Sequence, residues 1–158
     1  MNLEFLREAV RLSLEKMEAG EGGPFGAVVV QKGKIVGRGW NRVTSTNDPT
    51  AHAEIVAIRD ACACLKTFSL AGCEIYTSCE PCPMCFAAIY RARLERIYCA
   101  ATCEDAAAAG FDDCQFYREV VLPPSSRSIP MRDSQEAEAG DTLRDVETLA
   151  QLSGFPGH

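Results

Sequence analysis

Four residues in two short stretches have the types and spacing to do chemistry. The first stretch, Asp48-Pro49-Thr50-Ala51-His52-Ala53-Glu54, holds the only histidine of the chain apart from His158, two residues from a carboxylate. The second, Pro81-Cys82-Pro83-Met84-Cys85, places two cysteines three apart. On the first turn of a helix that spacing puts both sulfurs on one face. Pro83 suits an early helical position, where its missing N–H loses nothing. Two thiolates and one imidazole are three ligands of the kind zinc takes, and a fourth tetrahedral position left open marks a catalytic zinc rather than a structural one. Glu54 fits the same chemistry. Residues two apart on a helix point to opposite sides, each step advancing about 100°, so His52 and Glu54 converge only on a point beyond the helix end. Asp48-Pro49-Thr50 supplies a proline turn and a threonine cap where that end would lie. A carboxylate at a helix mouth beside a metal ion can take a proton from water and hand it to a leaving group, as general base and then general acid. A second helix N-terminus at Cys82 would add a second positive dipole end, favouring thiolates and a developing negative charge.

Composition bounds the alternatives. A chain of 158 residues, 47% apolar and 24% charged, fits one globular domain around one core. No apolar run approaches the roughly 20 residues of a membrane span. The N-terminal "MNLEFLREAVRLSLEKM" reads as an amphipathic helix and not as a cleavable leader, so the expected place is the cytoplasm. A reducing compartment leaves packing, metal binding or catalysis as explanations for nine cysteines. Net charge is -6, and Phe111 to His158 carries nine acidic residues against four arginines. A nucleic-acid binder needs a basic footprint to release counterions from phosphates. None is visible, so the expected partner is a small-molecule substrate, with no nucleic acid and no membrane. Cys79 extends the series to C-x2-C-x2-C, which resembles part of an iron-sulfur ligand run. No Cys-Pro fourth ligand follows, and such a cluster would leave "HAE" without a use. Cys62, Cys64 and Cys99 read as small buried hydrophobes.

The elements that must position these residues follow from periodicity. Leu3, Leu6, Val10 and Leu14 recur at helical spacing in a first helix ending near Gly20. "GEGGPFG" leads into "AVVV", "GK" turns the chain, and "IVGRGW" reads as the partner strand of a hairpin. After a polar loop, "NRVTSTNDPT", a helix spans "AHAEIVAIRDACACL". A strand "CEIYT", a helix opened by "SCEPCPMC" and a strand "RIYCAA" follow. Strands separated by helices of this length imply βαβ crossovers and a partly parallel sheet covered on both faces. The expected fold class is α/β, a three-layer α/β/α sandwich with a mixed central sheet. Beyond "DAAAAGFDDC" the chain reads as a last strand around "FYREVVL" and a loop "LPPSSRSIP". The segment "DTLRDVETLAQL" then puts Leu143, Val146, Leu149 and Ala150 on one stripe. That stripe can cover the core or pack on a second subunit.

The pairing of "HAE" with "PCPMC" is similar to the H-x-E…P-C-x-x-C signature of the zinc nucleobase and nucleoside deaminases, the cytidine deaminase-like superfamily. The chain most resembles the bacterial guanine deaminase branch, from Phe5 to about Pro130, through "GGPFGAVVV", "NDPTAHAE", "YTSCEPCPMC" and "AAAAGFDDC". The resemblance implies Zn²⁺ on His52, Cys82 and Cys85, with Glu54 shuttling protons. It implies substrate contacts from Phe25 stacking on the ring, from Asn41 hydrogen-bonding the base and from Asp113 engaging its amine. The backbone N–H of Ala53, and that of Cys82, would also face the substrate. The implied reaction is hydrolysis of guanine to xanthine and ammonia. Other amino-heterocycles or nucleosides stay open: guanosine, cytosine, cytidine, adenine or an aminotriazine. tRNA adenosine deaminases share "DPTAHAE" and a similar cysteine pair. The family also implies a homodimer. Residues 1–158 would form one deaminase domain, and the C-terminal segment 123–158 would pack on or swap with a partner subunit. In the family a terminal aromatic residue closes the partner's site; this chain ends "AQLSGFPGH", with Phe155 in place of a terminal Tyr.

Overall fold

The computed structural model describes residues 1–131. Helix α1 (Leu3–Glu18) starts where the Asn2 side chain accepts a hydrogen bond from the Glu4 N–H at 2.9 Å, with Glu4 complementing the positive end of the helix. Strands β1 (Gly26–Gln31) and β2 (Lys34–Trp40) form an antiparallel hairpin. Their two-residue turn, Lys32-Gly33, has φ of 48° and 75°, the left-handed pair whose twist matches that of flanking strands. A short helix α2 (Val43–Thr46) sits inside the polar loop, and α3 (Ala53–Leu65) follows it. Then come β3 (Cys73–Cys79), α4 (Pro83–Arg91), β4 (Arg96–Ala101), α5 (Cys103–Ala108) and α6 (Cys114–Val121). The sheet order is β2-β1-β3-β4, with β1 antiparallel to both neighbours and β3 parallel to β4. It is the expected mixed sheet of a three-layer α/β/α sandwich.

The run "AVVV" is apolar without alternation because β1 is covered on both faces. Ala27 and Val29 turn to the layer of α3 and α4, packing with Ala57, Ile75 and Ile89. Val28 and Val30 turn to α1, packing with Leu12 and Tyr76. Full burial of such aliphatic side chains stabilises the fold by about 1.5–3 kcal/mol each. Glycines on β2 set how closely α3 lies. A Cβ on Gly39 would stand 2.1 Å from the Ala53 carbonyl oxygen, and one on Gly37 would stand 2.5 Å from that of Ala57. The helix backbone therefore rests directly on the strand, which fixes where its N-terminus falls.

Several expectations need correction. "FYREVVL" is not a strand but most of α6. Its apolar residues Phe116, Tyr117, Val120 and Val121 recur at i, i+1, i+4 and i+5, a helical period that outweighs their β propensity. In α1 the inward face is Ala9, Leu12 and Ser13, while Leu3 and Leu14 are 52% and 50% exposed. Small residues face inward there because α1 also rests on a strand glycine, Gly26, whose added Cβ would meet the Ala9 carbonyl at 2.2 Å. Cys64 and Cys99 are exposed, and Cys62 is half-buried. The described residues fall into a unit Met1–Val120, which carries the sheet, and a second unit from Val121, which contains a 3₁₀ turn at Pro124–Ser126. The stripe of Leu143, Val146, Leu149 and Ala150, and Phe155, lie outside the described residues. Among the described residues no helix is long and apolar enough to cross a membrane.

Candidate active site

The histidine and the first cysteine occupy matching places. His52 is the N-cap of α3, extended at φ -66° and ψ 158°, and Cys82 is the N-cap of α4, at φ -66° and ψ 168°. Neither side chain caps its own helix. Thr50, expected to cap α3, instead bonds Asp48, donating from its N–H at 2.8 Å and its hydroxyl at 2.7 Å. Pro83 takes the first helical position of α4, as its lack of an N–H predicts. Cys85 stands one turn into α4 and is fully buried.

These caps bring the three ligands together. His52 Nδ1 lies 3.6 Å from Cys82 Sγ, and the donor atoms of His52, Cys82 and Cys85 all lie within 4.8 Å of one another. A tetrahedral zinc with bonds of about 2.0–2.3 Å needs edges of about 3.5–3.8 Å between its ligands. The closest pair already stands at that edge. Glu54, in the first turn of α3, is 7% exposed, and its Oε2 is 3.4 Å from Cys85 Sγ. Among the described residues no Lys or Arg lines the cleft around these groups, so two sulfurs and a buried carboxyl gather with no lysine or arginine beside them. That donor set fits a divalent zinc.

The protonation pattern without metal is consistent with this. The Cys85 thiol first and the His52 ring next hold Cys82 down at about 4, against burial. Its neighbour Cys82 and burial push Cys85 far up. The bond to Cys82 raises His52, and burial raises Glu54. One thiolate is thus ready as a ligand, and zinc binding would displace the second thiol proton. Cys79 does not join the group. Its sulfur turns to the Thr102 carbonyl at 3.3 Å, and burial pushes its thiol up to about 11.

His52, Cys82 and Glu54 open onto a cleft of about 290 Å³, lined also by Phe25, Asn41, Ala53 and Asp113, whereas Cys85 is fully buried. All of the residues expected to touch substrate therefore meet in one place. Asn41 is gripped on three sides. Its N–H donates to Phe25 O at 3.0 Å, its carbonyl accepts from Gly23 at 3.1 Å, and its Oδ1 accepts from the Val43 N–H at 3.1 Å. The close fit demands glycine at 22, where a Cβ would sit 1.8 Å from Asn41 O. With Oδ1 occupied, the Asn41 amide presents its NH₂ donors. Ala53, at the first position of α3, has an N–H with no intrahelical partner. Asp113 is half-buried, and burial first and Cys82 next raise its carboxyl. Residues that sequence reasoning missed line the same cleft. Phe111 meets Phe25 edge-on, ring centres 5.1 Å apart at 86°. Tyr117 donates from its hydroxyl to the Pro81 carbonyl at 2.6 Å. Phe111 stood within "GFDD" and carried a signal; the Tyr117 bond crosses 36 positions and carried none.

Residues 1–101 match the cytidine and deoxycytidylate deaminase zinc-binding region, and the chain belongs to that family. It is a zinc-dependent hydrolase acting on carbon-nitrogen bonds of a small-molecule substrate. Among individual proteins, it is 55% identical over 131 residues to the guanine deaminase of Bacillus subtilis strain 168, covering 82% of this chain and 84% of that one. The X-ray structure of guanine deaminase from Bacillus subtilis superposes with a TM-score of 0.90 at 49% identity, covering 94% of this chain and 95% of that chain. A tRNA-specific adenosine deaminase of Aquifex aeolicus is 44% identical over 93 residues, 59% of this chain and 61% of its own length.

Proposed function

We propose that this protein hydrolyses free guanine to xanthine and ammonia, as a single catalytic domain in a cytoplasmic homodimer that binds no nucleic acid. The observation that carries the reading is the meeting of Asp113 and Asn41 with His52, Cys82 and Glu54 in one cleft. Guanine presents acceptors at O6 and N7 and donors at N1 and its exocyclic amine. The Asn41 NH₂ matches the acceptors, and the Asp113 carboxylate matches the amine. Adenine lacks the carbonyl. A cleft of about 290 Å³ sits at the small end of ligand sites, which run from roughly 300 to 1,000 Å³, and among the described residues its lining has no Lys or Arg to hold a phosphate backbone. Both features favour a free base over a tRNA.

His52, Cys82 and Cys85 would hold the zinc. When bound, it supplies the Lewis acid that makes water nucleophilic at neutral pH. Phe25 stacks on the purine, Asn41 and Asp113 set its rotation, and the Ala53 N–H donates into the site. Glu54 accepts a proton from the attacking water as its oxygen bonds to C2. The same carboxyl then protonates the ring nitrogen beside C2, takes the proton of the new C2 hydroxyl and delivers it to the departing amine, so the C2–N bond breaks, ammonia leaves and C2 becomes a carbonyl. Burial raises the Glu54 carboxyl above its ordinary value, which strengthens it as a proton acceptor.

The test measures ammonia release from guanine, guanosine, adenine, cytosine, cytidine, aminotriazines and tRNA. Guanine alone should turn over. Glu54→Gln should keep zinc and fold while losing about a hundred- to ten-thousand-fold in rate. Turnover of another ring in place of guanine would overturn the substrate, and an undiminished Glu54→Gln rate would overturn the mechanism.

A further inference from the structure

We propose that Tyr117 is a positioning residue that couples the metal-ligand loop to the substrate-recognition segment. The claim rests on the deaminase site described above, but not on which base it takes. The Tyr117 hydroxyl donates to the Pro81 carbonyl at 2.6 Å, and Pro81 is buried. The peptide between Pro81 and Cys82 is trans, so the Pro81 C=O and the Cys82 N–H point in opposite directions from one rigid plane. Holding that oxygen sets the rotation of the peptide that carries Cys82. Cys82 then begins α4 as its N-cap, and both the Sγ that ligates and the N–H that would face substrate turn with that plane. Among the described residues the Cys82 N–H has no protein acceptor.

The other end of the link is equally direct. The Phe116 N–H donates to the Asp113 carbonyl at 3.0 Å, which ties Asp113 to the first turn of α6. Tyr117 lies four residues on, one helical turn, and lines the same cleft as Asp113 and Cys82. The Tyr117 hydroxyl therefore adds to the direct approach of Asp113 and Cys82 a backbone tie that keeps the recognition carboxylate and the first cysteine in a fixed relation. Asp113 sits in the connection just before α6, a helix outside the sheet, and Cys82 at the N-cap of α4 after β3. Outer partners of this kind typically govern metal affinity or activity by about ten- to a hundredfold.

Tyr117→Phe removes the hydroxyl and keeps the ring. The zinc-loaded variant should melt within about 2–4 °C of the wild type, yet release zinc to a chelator about tenfold faster and lose about tenfold in kcat/KM. Phe116→Ala, on the same helix and 46% exposed, should leave both unchanged. Zinc release is read without substrate, so failure of the guanine assignment alone would not touch it. Unchanged release and turnover in Tyr117→Phe would overturn the proposal. So would an equal effect from Phe116→Ala, or a Tyr117→Phe protein that unfolds, since either marks general support of α6.

Discussion

Histidine and cysteine at helix N-caps replace the Ser, Thr, Asp or Asn usual at such positions. At both caps the side chain makes no capping hydrogen bond to its own helix, so the N-termini of two helices and a bound metal would share one space. The ligand types and the glutamate were legible in the sequence because few other uses explain them together. Their cap positions were not, since the eye assigns the cap to Thr50, an excellent capper that here serves its own Asp48 turn. Which cysteines ligate is decided by direction, not by spacing. Cys82→Ala should lose stoichiometric zinc by metal analysis, whereas Cys79→Ala, which removes a sulfur facing the Thr102 carbonyl, should keep it. Zinc retained by the first variant or lost from the second would reverse the ligand assignment.

At the scale of elements, α3 delivers His52 and Glu54 and takes its height from two glycines of β2. The strand, its hairpin and the helix were all readable from "IVGRGW" and "AHAEIVAIRDACACL". The reason for glycine at 37 and 39 was not, because it lies in contacts with a helix that begins more than ten residues later. A methyl at Gly37 meets Ala57 and Ala61, while one at Gly39 meets Ala53, one residue from His52. Gly37→Ala and Gly39→Ala should each cost about 1–3 kcal/mol by overpacking, read as a lower melting temperature. Only Gly39→Ala should also weaken zinc binding, as a chelator competition would register. Helix α6 was misread because aromatic and β-branched residues suggested a strand; counting the period in "FYREVV" separates the two.

At the scale of the molecule, one ion cluster ties the outer helix layer to the sheet edge. Glu8 on α1 accepts from Arg11 at 2.7 and 2.9 Å and from Arg38 on β2 at 3.1 Å. Arg11 first and Arg38 after it hold the Glu8 carboxyl down at about 2, against an ordinary 4.5. A carboxyl lowered by folding contributes stability above its unfolded value and loses it as pH falls from about 4.5 toward 2. The exposed arginines keep the contribution to about 1 kcal/mol. Glu8→Gln should therefore melt about 2–4 °C lower at pH 7, with the gap closing as pH approaches 2. A gap that persists there would mean that lost packing explains it. The layered fold was legible because helical and strand periods alternate along the chain; this cross-link, between residues 30 apart, was not. The sheet order has one more consequence. Because β2 and β3 both run against β1, their last residues and the first of β1 lie at one end of the sheet. There Phe25, Asn41 and Asp113 hang on connections, while the zinc ligands are seated on helices pressed to the sheet or buried beside it. On the proposed assignments a change of ring is written in three loops, of which the one at Asp113 stays yoked to the hydrolytic centre through Tyr117, so a lineage of deaminases on this scaffold can vary its diet most freely at Phe25 and Asn41.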